Sequence, residues 1–218
     1  MVVIKLYWIL PLLLLISASM HAQAAVSCSA MATNVSGVYS SGSNLNLTGT
    51  ITVNCNRASG DSANQTIYIG IDNGANSRRL TRQTATTTLN YLVYRRSNYT
   101  GSWTTGMGRN ASSTAAGGLQ FTLSFGSALS ASASNNYYLR VASGQTGKAA
   151  GIYDDISVGV AVRQGSSTGT VLGNTTFVAN ASIPSSCRIS SSPAALALSY
   201  TSFATSAQTG STPFGVSC

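Results

Sequence analysis

Apolar residues recur at every second position in six short segments of the chain. They are Leu45, Leu47, Ile51 and Val53; Ile67, Ile69 and Ile71; Leu89, Tyr91 and Val93; Leu119, Phe121, Leu123 and Phe125; Tyr137, Leu139 and Val141; and Ile156, Val158, Val160 and Val162. A period of two belongs to strands with one buried face, not to helices. Between the segments lie small polar clusters, such as Asp72-Asn73-Gly74-Ala75-Asn76-Ser77 and the stretch 130–136, which supply turn chemistry. The pattern predicts an all-β antiparallel sandwich.

The segments divide unevenly. Residues 25–164 are numerous enough to enclose one core, after which Gln164 to Gly169 turns small, polar and glycine-rich, as a linker does. Beyond it the opening of the first unit is echoed. Cys28, Tyr39 and Ile51-x-Val53-x-Cys55 reappear as Cys187, Tyr200 and Phe214-x-Val216-x-Cys218. The echo covers two strands, too few to close a core. Residues 184–218 are therefore expected to be the truncated start of a second similar domain, poorly ordered or dependent on something else.

The N-terminus changes the picture by adding a compartment. One cation, Lys5, is followed by a mostly apolar run from Leu6 to Ile16 and by small residues from Ser17 to Ala25. This is the layout of a secretory signal peptide, with Ala22-Gln23-Ala24 predicting cleavage before Ala25. The run is shorter than the about 20 apolar residues of a membrane span, so no transmembrane segment is expected in the mature protein. All four cysteines, Cys28, Cys55, Cys187 and Cys218, lie beyond the signal. An even count in an exported chain points to disulfides. Three connectivities are open; the similar context of each local pair favours Cys28 with Cys55 and Cys187 with Cys218.

Composition excludes most hydrolytic chemistry. The signal removes His21, the single histidine, and there is no glutamate; the acids are Asp61, Asp72, Asp154 and Asp155. Neither a Ser/His/Asp relay nor a histidine metal site can be assembled from that set. No catalysis, metal or cofactor is expected. Of 12 basic residues only Lys5 is lost with the signal, so the mature chain carries a net charge of +7.

At this point particular residues resemble a known family. Leu89-Asn90-Tyr91-x-x-Tyr94, Trp103-x-x-Gly106-x-Gly108 and above all Gly151-Ile152-Tyr153-Asp154-Asp155-Ile156-x-Val158-x-Val160 are similar to the spore coat protein U domain of archaic chaperone-usher pili. The resemblance implies an immunoglobulin-like sandwich that in pilin subunits lacks its last strand. It also implies partners: a periplasmic pilus chaperone that lends a strand, an outer-membrane usher, and other pilus subunits that replace that strand by addition at a sheet edge. Only Ala25-Val26-Ser27 precede Cys28 after the predicted cleavage, too little to donate. A subunit that cannot donate belongs at the fibre tip.

Phe177-x-Ala179-x-Ala181-x-Ile183 has the alternation of a donor strand and follows directly on the first domain. Residues 165–183 thus read either as an in-cis completing strand or as an extended linker. The loop Arg95 to Arg109 gathers Arg95, Arg96, Tyr99, Trp103 and Met107 among glycine turns, a mixture suited to gripping a surface or glycan. The family pattern offers an alternative for Trp103, packing over one end of the sandwich. Arg78, Arg79 and Arg82 read as a solvated basic loop, with no nucleic-acid motif beside them. Asp154 and Asp155 are adjacent, so on a strand they face opposite sides and cannot form a catalytic pair. One of them is expected to hydrogen-bond into the turn. The overall expectation is a secreted adhesive subunit at a pilus tip, exported through the periplasm; the alternative is a self-assembling coat or matrix protein without a specific ligand.

Overall fold

The computed structural model describes residues 26–103, 118–199 and 201–217. The predicted signal peptide and cleavage site lie outside the described residues. The described chain is all-β, and no helix in it is long and apolar enough to cross a membrane.

Ten strands form the first unit: β1 (Ser27–Ala32), β2 (Val35–Val38), β3 (Leu45–Asn56), β4 (Asn64–Ile71), β5 (Arg79–Arg82), β6 (Thr88–Tyr94), β7 (Leu119–Ser124), β8 (Ser130–Val141), β9 (Gly151–Gln164) and β10 (Val171–Ile183). One layer runs β1-β3-β8-β6 and the other runs β7-β4-β9-β10-β2, with β5 bridging β6 and β9. The arrangement is immunoglobulin-like, its four-strand layer facing a layer built on the strand equivalents β4, β9 and β10. β10 runs antiparallel to β9 from Val171 to Ile183 and parallel to β2 over Ala179 to Ser182.

The period-two segments explain the core. Ile51, Val53, Tyr91, Val93, Tyr137, Leu139 and Val141 face inward from the first layer. Ile67, Ile69, Ile71, Val158, Val160 and Val162 meet them from the second. Phe177, Ala179 and Ala181 of β10 are buried in the same core, and the Phe177 ring packs 4.5 Å from that of Tyr137. Burying a side chain such as Phe177 removes about 1.5–3 kcal/mol of unfavourable exposure. Tyr137 fits because residue 49 is glycine: a Cβ there would lie 2.2 Å from the tyrosine ring.

Three expectations are corrected by this arrangement. Gln164 to Gly169 is not an interdomain linker but the tight connection of the β9–β10 hairpin, in which the Gln164 amide donates to Thr170 O at 3.0 Å and Gly165 takes a positive φ of 75°. The first unit therefore continues to Ile183. Ile156, counted with the apolar face of β9, is 65% exposed, whereas Asp155 is fully buried. The reason is a register shift in β9 opposite Phe177 and Ala179, which inserts one extra residue and inverts the phase of everything before Val158. Arg79 and Arg82 lie on β5 rather than in a loop, and Arg78 just before them is buried.

The cysteines cross-link the opening strands. Cys28 and Cys55 face each other across β1 and β3 and form a disulfide. In the second unit β11 (Arg188–Ser191) pairs antiparallel with β12 (Gly215–Ser217). Cys187 is disulfide-bonded; its expected partner Cys218 lies outside the described residues. Ile189, Phe203, Phe214 and Val216 of this unit are all exposed.

Candidate functional site

Behind the outer face of the first layer sits a buried polar cluster that shapes the surface above it. Asp72 begins the turn after β4, and its Oδ1 accepts from the Gly74 and Gly159 amides, each at 2.7 Å. Gly74 has a positive φ of 72°, and a Cβ on it would lie 2.0 Å from an Asp155 carboxylate oxygen, so only glycine fits. Asp155 accepts from the Tyr91 hydroxyl at 2.8 Å and from the Ala75 amide at 3.0 Å. Burial pushes the Asp155 carboxyl above its ordinary value, opposed by the hydrogen bonds from Tyr91 and the turn amides. Asp154, pointing the other way, accepts from Gln83 Nε2 at 2.6 Å.

Arg78 closes the cluster. Its guanidinium lies 5.7 Å from the centre of the Tyr91 ring and donates to Ile71 O at 3.4 Å. Burial lowers its pKa, and the proximity of Tyr91, Asp72 and Asp155 opposes that shift. Tyr91 is pushed well above the usual phenol range by burial and by the charge of Asp155. A tyrosine held neutral here serves as a hydrogen-bond donor, and the cluster as a rigid floor.

In front of this floor lies a groove of about 490 Å³ whose lining includes Arg78, Arg79, Asn90, Tyr94, Arg140 and Gln145. Gln145 secures one wall: its Oε1 accepts from the Asn90 amide at 2.8 Å, and its Nε2 donates to Asn90 O and Ala142 O. Arg140 is held over the Tyr99 ring, 3.8 Å from its centre, while its Nε donates to Asn46 Oδ1 at 2.9 Å.

The sequence-predicted contact residues separate under this geometry. Tyr99, at a positive φ of 59°, folds back over the sheet and meets Tyr94 and Tyr138 edge-on. Arg96 is exposed. Arg95 braces the loop instead, donating to Gly101 O and Gly118 O. Trp103 is 3% exposed and belongs to the hydrophobic core, its amide bonded to Val93 O; as a contact residue it is corrected, because its side chain is buried in that core. Met107 lies outside the described residues. No group of three or more His, Cys, Asp or Glu side chains suited to a metal occurs among the described residues. Sequence reasoning missed Arg140, Asn90 and Gln145. Parity placed Arg140 on the solvent side of β8, but only the pairing Leu92 with Arg140 across β6 and β8 brings it to the groove.

Comparison with known proteins supplies the family. No curated protein matches the chain. Among solved structures, the CooA pilin subunit from enterotoxigenic Escherichia coli is similar at 12% identity, covering 73% of this chain and 99% of that one with a TM-score of 0.45. The CsuC-CsuE chaperone-tip adhesion subunit pre-assembly complex from archaic chaperone-usher Csu pili of Acinetobacter baumannii is similar at 14% identity, covering 82% and 66%, with a TM-score of 0.42. For CfaE, the adhesive subunit of CFA/I fimbria of enterotoxigenic Escherichia coli, the values are 12% identity, 74% and 49% coverage, and a TM-score of 0.35. The chain thus spans about half of that adhesin's length. A family model described as Spore Coat Protein U domain matches residues 13–160, more than half of the chain, and on that match the chain belongs to the Spore Coat Protein U domain family.

Proposed function

We propose that this chain is an exported, non-enzymatic adhesive subunit of a chaperone-usher pilus, seated at the fibre tip. The carrying observation is β10. Its Phe177, Ala179 and Ala181 fill the core, and its backbone is paired on both sides, by β9 and by β2. On this reading β10 completes the first domain in cis, so that domain has no open groove for a strand from another subunit. Val26 is already buried and β1 begins at Ser27. With processing before Ala25 nothing remains to donate forward, which supports the tip position.

The second unit is the joining part in this reading. Its exposed apolar residues are the surface that a periplasmic chaperone, and later the subunit behind, would cover at the usher. The first domain is left free to bind a surface or glycan. Immunogold labelling of the chain on intact fibres tests this directly. A single label at the free end is the expected result. Labels spaced along the fibre would overturn the tip reading and favour a repeating coat or matrix component.

A further inference from the structure

The groove over the buried cluster has a composition that the adhesive reading leaves unspecified. Arg79 and Asn90 are directly opposed across β5 and β6, so their side chains leave the sheet on the same face. Among the described residues neither side chain makes a hydrogen bond within the protein. Arg140 hydrogen-bonds within the chain only through its Nε, with the face of its guanidinium on the Tyr99 ring, which leaves both Nη groups for another acceptor. The Nη1 of Arg78, buried in the floor, has no hydrogen-bond partner either. No carboxylate lines the groove. Asp72 and Asp155 lie behind it with Arg78.

These features select a ligand. A volume of about 490 Å³ is that of a small-molecule site, which runs from about 300 to 1,000 Å³. Guanidinium forks match carboxylates and phosphates in two-point geometry. Next to them stand an aromatic surface, Tyr94, and a free carboxamide, Asn90, the pair of groups suited to the C–H face and hydroxyls of a sugar ring. A nucleic-acid strand would instead need cations and stacking platforms extended along a track.

We propose that this groove binds an acidic saccharide, with Arg79 and Arg140 holding the carboxylate of one ring, Asn90 bonding its hydroxyls and Tyr94 covering its apolar face. The inference deepens the adhesive reading and rests on it for the biological use of the site, but binding by the purified chain is measured without fibres.

The test is calorimetric titration of the full exported chain with trigalacturonate. Controls are its methyl ester, inorganic phosphate and a single-stranded oligonucleotide. Trigalacturonate is expected to bind and the ester to bind about tenfold more weakly, the loss of one charge-assisted contact. Arg79→Ala is expected to weaken binding by a similar factor without moving the thermal midpoint. Arg140→Lys, which keeps charge but not the fork, should also weaken it. Equal binding of the ester, displacement by equimolar phosphate, tighter binding of the oligonucleotide, or an unaffected Arg79→Ala variant would each overturn the proposal. Any of these with the tip label intact removes the saccharide site alone; loss of the tip label removes the adhesive reading instead.

Discussion

Residues 26–183 and residues 184–217 open alike and part company in what lies opposite them. In the first unit Ala30 pairs with Val53, two residues inside the Cys28–Cys55 bridge. In the second, Ile189 pairs with Val216 in the same frame, two residues beyond Cys187. Yet Ile51 and Val53 are fully buried, whereas Phe214 and Val216 are 60% and 54% exposed. Pairing and cross-linking are shared, so they are not what hides the side chains. The difference is a second layer: β4, β9 and β10 face the first hairpin, and no comparable layer faces β11 and β12 among the described residues. A strand pair is a local product of sequence, but a core needs two sheets.

The largest effect that would sharpen this contrast lies at Phe177. Phe177→Ala should destabilise the fold by about 3–5 kcal/mol, while Phe214→Ala should stay within about 0.5 kcal/mol, both read from urea unfolding. Similar losses at the two sites would break the comparison. Next comes the Cys28–Cys55 bridge of the first unit. Replacing Cys28 and Cys55 together by alanine should cost about 3 kcal/mol of stability in the first unit, visible as a lowered thermal midpoint.

The smallest effect concerns the buried carboxyl of Asp155, which has no counterpart in the second unit. Its folded value lies above the ordinary 3.8, so the native chain holds this proton more tightly than the unfolded chain. Its stabilising contribution is therefore complete below pH 3.8 and is lost as pH rises through the folded value. The stability of the natural chain minus that of Asp155→Asn should fall with rising pH from that point. A difference that stays flat would show that the carboxyl does not titrate differently on folding.

Much of the scaffold was legible in the chain because burial on one face imposes a period of two. Tyr137, Leu139 and Val141 read correctly for that reason, as did Ile67, Ile69 and Ile71. Reading failed where the period itself was interrupted. The register shift in β9 turned Ile156 out and Asp155 in, and no local signal marks it. The turn at 165–170 looked like a linker because hairpin turns and linkers draw on the same small polar residues. The groove was less legible still. Its Arg79, Asn90 and Arg140 come from three strands, and what joins them is a pairing order that alternation along one strand does not contain.

The parallel pairing of β10 with β2 carries a mechanical consequence. The chain leaves the first domain at Ile183, at the end of β10, so tension drawn through the C-terminal segment acts along that strand's own axis. Hydrogen bonds lying across that axis, to β2 on one side and β9 on the other, are then loaded together in shear instead of being peeled apart one after another. A domain held in this way resists stretching best along the axis of its last strand.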